Sequence, residues 1–371
     1  MLLRATLPLS ATDILLRYAV PIGMTVKLLP NNDVGLLELD KILTSCGCPK
    51  KKDLYNLFLE DLLRIRRPEL YGREIVQEDI DALRQTLINE DPENVGVWVF
   101  YPWLNGAYLC PAETIYHEVV TARNKTLVSH EEQRAFYNYN VGVAGLSIGS
   151  SAVATIARGG GARRIKIADS DVIDPSNLNR LRFGLPSIGQ KKSEVIAHHI
   201  YETNPYHRII EYGDISVDNV DSFFDKGFKL DVVIDACDTF SVKILLREAA
   251  KKRKIPVVMA TDLGDGVLLD VERYDKKPDT EPFGGRLAGV QDKNNFMELA
   301  LAVISKENIR PRVLGAMSEI GKSIPTHPQL GNAAYLSGVV ISYIVRCLAT
   351  NKPLIDNRVL IDLDDFFIRK L

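Results

Sequence analysis

Gly145, Ser147 and Gly149 stand in the turn GLSIG, between the β-branched run that begins at Val141 and the small residues Ser150 to Ala157. A turn that joins a strand to a helix exposes backbone N–H groups at the helix N-terminus, where they can receive an anion such as a phosphate. Gly159, Gly160, Gly161 and Ala162 close that helix, and a second apolar run, Ile165 to Ala168, ends on Asp169. Strand, turn, helix, strand and acid in this order form the pattern of a nucleotide-binding βαβ unit, in which the acid takes the ribose hydroxyls. The turn alone is a partial fingerprint. A dinucleotide loop reads GxGxxG, whereas GLSIG is shorter and puts Ser147 where a glycine is expected, so a bare strand-to-helix turn is the alternative reading.

The elements that position these residues can be read on either side of the turn. Upstream, Leu54, Leu57, Phe58, Leu62 and Ile65 fall at helical spacing over 53–66, and Ile80, Leu83, Leu87 and Ile88 do the same over 77–88. Val95 to Tyr101 reads as a strand halted by Pro102. Ser129 and Glu132 have the spacing of a capping box, which predicts a helix from His130. Downstream, GQKK (Gly189 to Lys192) opens a helix over Ser193 to Tyr201, and VVIDACD (Val232 to Asp238) is a buried strand ending in carboxylates. A helix from Ser241 to Lys252 and a strand from Ile255 to Ala260 follow. Strands alternating with helices predict an α/β fold: a Rossmann-like, mostly parallel sheet flanked by helices, behind a smaller, mixed, helix-rich N-terminal domain. The composition shift divides the chain into 1–111 and 112–371. The first region carries no chemical motif, and partner recognition is the role left open to it.

Composition narrows the function classes. An apolar fraction of 46% over 371 residues supplies at least one sizeable core. Lysine and arginine total 46 against 48 acidic residues, so no global charge favours nucleic acid or an anionic membrane. Cysteines stand at 46, 48, 110, 237 and 347 with no CxxC pair, which argues against a disulfide framework and for a reducing, cytoplasmic setting. Cys46 and Cys48 have no neighbouring ligand to complete a metal site, so the ordinary reading of both is preferred. The opening residues do not read as an export signal. Leu330 to Ala349 is apolar but broken by Asn332, Ser337, Ser342 and Arg346, the pattern of a buried amphipathic helix and not of a membrane span.

GLSIG, Asp169, DPSNLNR (Asp174 to Arg180), GQKK and VVIDACD, in this order and spacing, resemble the E1-like (ThiF-type) superfamily of ATP-dependent activating enzymes. The likeness covers about residues 121–275, and ATDLGD (Ala260 to Asp265) and LDVERYD (Leu269 to Asp275) look like a bacterial branch of it. It implies an adenylyltransferase that activates a carboxylate, at a peptide or protein C-terminus, as an acyl-adenylate with release of pyrophosphate. ATP and Mg²⁺ are the implied cofactors. By motif match, Gly145, Ser147 and Gly149 form the nucleotide loop, Asp169 binds the ribose, and Asn177 supports the α-phosphate region. Arg180 and Lys192 hold phosphates, and Asp238 holds the metal. Members of the superfamily commonly form homodimers in which an arginine of the partner copy reaches the terminal phosphate; Arg123 is the preferred match here, with Lys125 beside it.

Each assignment has a plainer counterpart. Asp169 could cap its strand, Asp238 could cap the next helix, and Arg180 and Lys192 could be surface cations. Asp235 is read on the same strand face as Asp238 and is as easily structural; Cys237 is read on the other face, as a small buried hydrophobe. Between Asp238 and Arg346 there is no cysteine, so no thioester residue occupies the usual place, and the absence of CxxC pairs leaves no zinc expected. Pro278 to Gly289 stands there instead, as a flexible crossover segment over the site, with Arg286 open to meeting a substrate carboxylate but read by preference as a solvated loop cation. Two other classes stay open: a nicotinamide (NAD(P)) oxidoreductase, which shares the βαβ unit, and a non-catalytic E1-like scaffold.

Overall fold

The computed structural model describes residues 26–47, 50–292, 295–354 and 358–368, and contacts divide the chain into two compact units between Leu127 and Val128. The first unit is a four-stranded sheet with helices. Its elements are β1 (Lys27–Pro30), α1 (Asp33–Cys46), β2 (Lys50–Asp53), α2 (Tyr55–Arg66), α3 (Gln77–Glu90), β3 (Val97–Tyr101), β4 (Gly106–Cys110) and α4 (Glu113–Val120). The strands run in the order β1-β3-β4-β2, with β2 parallel to β4. Leu39, Leu59, Leu62, Leu87, Trp98, Phe100 and Leu109 form the core. α4 belongs to this unit because Tyr116 stacks at 5.1 Å on Phe58 of α2 and Glu118 pairs with Arg66 at 2.9 Å. The compact unit therefore runs past the compositional boundary at 111, since side-chain packing and not composition decides where it stops. Cys46 is exposed, and Cys48 lies outside the described residues.

The second unit is the α/β domain. Its elements are α5 (His130–Asn138), β5 (Val141–Ala144), α6 (Ile148–Arg158), β6 (Arg164–Ala168), α7 (Lys192–Thr203), β7 (Arg208–Tyr212), α8 (Val220–Asp225), β8 (Val232–Asp235), α9 (Phe240–Arg253), β9 (Val257–Leu263), β10 (Gly266–Glu272), α10 (Phe296–Ile304), α11 (Pro311–Ser318), α12 (Gly331–Ala349) and β11 (Arg358–Asp362). Ser129 caps α5 with the reciprocal Glu132 bond, a complete capping box. The seven-stranded sheet has the order β11-β10-β9-β8-β5-β6-β7, parallel from β7 to β9 and antiparallel at β10 and β11.

Strands β5, β6 and β8 are buried on both faces because helices cover both sides, and the buried Lys166 of β6 donates to the Phe223 carbonyl at 2.8 Å. From β5 the chain winds outward through β6 and β7, then returns to place β8 on the other side of β5. The order thus reverses between β5 and β6 on one hand and β8 on the other, and their carboxyl ends flank the crevice where open α/β sheets bind ligands.

α12 is the helix, among the described residues, long and apolar enough to cross a membrane. Its apolar and small residues instead meet protein: Ala333, Ala334, Ile341 and Val345 are buried, and Gly338 lies so close to α6 that an added Cβ would stand 2.6 Å from the Ser151 carbonyl carbon. Small residues let the two backbones approach, and the helix closes the face of the sheet that carries the glycine turn.

Candidate active site

The glycine turn is shaped by its neighbours. Gly145 has φ +88°, and an added Cβ would lie 2.2 Å from the Ala236 carbonyl oxygen, so the ends of β5 and β8 meet only because this position has no side chain. The Gly145 N–H donates to Ala168 O and the Ala236 N–H to Ala144 O, both at 2.8 Å, which locks the three strand ends together. Gly149 has a packing reason: a Cβ there would meet Val143 Cγ1 at 2.7 Å. α6 starts at Ile148 with no side-chain cap, leaving its first N–H groups directed at the crevice.

Asp169 ends the strand path through β6. Its Oδ2 accepts the Leu146 N–H at 2.6 Å and its Oδ1 the Asp171 N–H at 2.8 Å. The carboxylate therefore braces the glycine turn as well as standing beside it. Burial pushes its pKa up, and Lys192 and the two N–H donors offset only part of that. Lys192, the first residue of α7, is 7% exposed, and its ammonium lies 2.7 Å from Asp171 Oδ2 and 4.0 Å from Asp169 Oδ1.

Arg180 follows a 3-10 turn over Pro175–Asn179 whose capping box joins Asp174 and Asn177. Asn177 is buried, and its Oδ1 accepts the Asp174 N–H at 3.3 Å, so its visible work is to shape the turn that delivers Arg180. The guanidinium donates from Nε to Ser147 Oγ at 3.3 Å and from Nη1 to Ser176 O and Asn179 Oδ1. Burial lowers its pKa, opposed by the nearby carboxylates of Asp238 and Asp262. Asp238 is exposed, and among the described residues nothing hydrogen-bonds to its carboxylate.

Gly145, Ser147, Asp169, Arg180, Lys192 and Asp238 thus share one edge of the sheet, linked through the Leu146 N–H, the Arg180–Ser147 bond, the Lys192–Asp169 approach and the field of Asp238 on Arg180. Arg123 lies in the first unit, in a 3-10 turn over Ala122–Asn124. Among the described residues no group of three or more His, Cys, Asp or Glu could hold a metal by itself.

Asp235 has a clear structural duty. Fully buried, it pairs with Arg247 Nη1 at 2.5 Å and Lys243 Nζ at 3.1 Å, and it accepts the Cys237 N–H that starts the turn toward Asp238. Arg247 also reaches Glu272 at 2.6 Å, and its guanidinium lies 3.7 Å from the Phe283 ring centre. Cys237 is half-buried, and burial pushes its thiol pKa up, away from a reactive thiolate.

The expectation of a flexible segment over 278–289 is corrected. Phe283 is fully buried, its N–H donates to Glu272 Oε1 at 2.7 Å, and Pro282–Gly289 forms a kinked 3-10 stretch pinned onto α9. Arg286 is likewise no solvated cation: it donates to Asp270 Oδ1 at 2.9 Å, a carboxylate it shares with Arg358. The sequence reading passed over Asp171, Asp262 and Ser337. The signal for Asp262 was present, an acid ending the apolar run of β9 beside the Asp238 strand, but its partner Ser337 is distant in the chain.

The ThiF family profile matches residues 121–282. An uncharacterised Mycobacterium tuberculosis protein, MT1398, is 33% identical over 298 residues, 77% of this chain and 41% of that protein. The tRNA threonylcarbamoyladenosine dehydratase of Bacillus subtilis is 35% identical over 140 residues, 37% of this chain and 54% of the relative. The chain thus spans about half or less of the length of these relatives. Among solved structures, the Escherichia coli tRNA threonylcarbamoyladenosine dehydratase in complex with ATP aligns with TM-score 0.46 at 19% identity, covering 63% of this chain and 95% of that one.

Proposed function

We propose that this chain, whose residues 121–282 form a ThiF-family domain, uses ATP to adenylate a carboxylate, releasing pyrophosphate. The observation that carries the reading is the convergence of Ser147, Asp169, Arg180, Lys192 and Asp238 on the crevice beyond β5, β6 and β8. A bare strand-to-helix turn gives those charges no common purpose, and a nicotinamide enzyme gives Arg180 and Asp238 none.

In the proposed reaction a substrate carboxylate oxygen attacks the α-phosphorus of ATP, forming the acyl-adenylate P–O bond as the bond to the pyrophosphate oxygen breaks. A weak nucleophile and a charged leaving group make positioning and charge stabilisation the main tasks. The N-terminus of α6 receives phosphate oxygens, Asp169 accepts from the ribose hydroxyls, and Asn177 keeps its turn beside the α-phosphate. Arg180 and Lys192 neutralise charge that builds on the phosphates. Asp238 suits Mg²⁺, because an exposed carboxylate with no hydrogen-bond partner is what an ion that retains waters and phosphate oxygens requires. When bound, the ion would screen the triphosphate charge. A peptide or small protein supplies the carboxylate, and a homodimer brings Arg123 or Lys125 of the second copy to the terminal phosphate. The free thiols suit a cytoplasmic setting.

The test is ATP–pyrophosphate exchange driven by candidate peptides, alongside titration of the purified protein with Mg-ATP and with NADH. Mg-ATP binding and exchange are expected, and Asp238→Ala should slow exchange by about a hundredfold or more. An Asp238→Ala protein that exchanges at the wild-type rate removes the mechanism, and binding of NADH in place of ATP removes the reading.

A further inference from the structure

Asp262 ends β9, the strand beside β8, and so lies along the same carboxyl edge as Asp238. Its Oδ1 accepts the Ser337 hydroxyl at 2.7 Å, while its Oδ2 is buried and has no hydrogen-bond partner. Ser337 is fully buried in α12, and that helix is fixed from both ends of the contact. Gly331 abuts the Asn179 carbonyl, one residue before Arg180, Asn332 donates to Asp265 at 3.1 Å, and Gly338 packs on Ser151. The helix therefore ties the Arg180 turn to the end of β9.

Arg180 does not close on Asp262. Its bonds go to neutral oxygens of Ser147, Ser176 and Asn179, and Nη2 has no hydrogen-bond partner among the described residues. A buried carboxylate oxygen with no donor is costly, and pairing it with a free guanidinium nitrogen would relieve the cost. Ser337 holds the carboxylate at the sheet edge to which α12 also joins the Arg180 turn, and the two charges influence one another with no hydrogen bond between them. Lys192 is arranged differently, in direct contact with Asp171.

We infer that Asp262, tethered by Ser337, is an internal counter-anion to Arg180 that sets how tightly nucleotide phosphates are held. A fixed negative charge facing the guanidinium lowers its attraction for every phosphate, so nucleotide and product leave more readily. The tether stops that charge from collapsing onto Arg180 and shutting phosphates out. Asp262 is thus a positioning and affinity-determining residue, and the inference rests on the ATP-binding reading above.

Calorimetric titration at neutral pH with Mg-ATP, AMP and adenosine tests it. Asp262→Asn keeps the oxygen that Ser337 bonds and removes the charge. It should tighten Mg-ATP by about threefold to tenfold and AMP by less, with adenosine unchanged. Ser337→Ala frees the carboxylate to reach Arg180 and should weaken Mg-ATP by a similar factor, whereas the double variant should behave as Asp262→Asn alone. A merely structural role predicts no tightening and no dependence on phosphate number. Folded Asp262→Asn protein that binds Mg-ATP no better than wild type, or a Ser337→Ala protein that binds as well as wild type, overturns the inference and leaves the ATP reading intact. Wild type that binds no Mg-ATP overturns both.

Discussion

Arg180 and Lys192 each meet acid in the protein alone, and the difference between their partners matters. Lys192 has a direct, half-solvated partner in Asp171, whose side chain is 67% exposed and can yield to a phosphate at little cost. Arg180 and Asp262 influence each other's charge without a hydrogen bond, and Asp262 is desolvated. Its pKa rises from the ordinary 3.8 to about 6, chiefly through burial, with the Ser337 hydrogen bond and Arg180 opposing. The folded protein therefore binds a proton between those pH values that the unfolded chain does not. This group's stabilising contribution is present in acid and is lost as pH rises through about 6. Asp262→Asn should match wild type in stability near pH 4 and exceed it above pH 6, by up to about 3 kcal/mol. Urea unfolding at several pH values reads this, and a difference that does not grow with pH sinks it.

At the scale of elements, the site depends on how β8 ends. Asp235, Arg247 and Glu272 form a buried ion chain linking β8, α9 and β10, and Phe283 lies over the guanidinium. The chain fixes the turn through the Cys237 N–H and pins the Pro282–Gly289 stretch at once. Arg247→Met would fill part of the space but leave Asp235 with Lys243 as its one cation and Glu272 with neutral donors alone among the described residues. The expected cost is about 3–5 kcal/mol, measured by urea unfolding, with weakened Mg-ATP binding as the Asp238 turn loosens. A stability within 1 kcal/mol or so of wild type would show that the network contributes little. The glycine turn obeys the same logic, since Ala236 can approach the end of β5 only because Gly145 has no side chain.

For the whole molecule, two units with separate cores carry unequal duties: the residues that converge on the crevice all belong to the second, whereas Arg123 lies in the first. A ligand that binds only the folded domain stabilises it by mass action, about 2.7 kcal/mol at a hundred times Kd. Mg-ATP at that excess should therefore raise Tm by a few degrees and NADH should not, as scanning calorimetry would show. Equal shifts, or none with ATP, contradict the proposal. The sequence by itself determined the elements and their order: the βαβ unit around GLSIG, the capping box at Ser129 and Glu132, the buried strand that starts at Val232 and the helix after it, although the strand stops at Asp235 and not at Asp238. These follow from turn chemistry and from apolar periodicity, which act between residues a few positions apart. It also placed Asp169, Arg180, Lys192 and Asp238 in recognisable motifs. Only the tertiary structure decided that β8 returns beside β5, that Ser337 reaches Asp262 from 75 residues away, that Arg247 turns the stretch over 282–289 into a pinned cover, and that α4 joins the first unit. Those contacts are chosen by long-range packing and by the need to pair buried charge, and no local pattern records them.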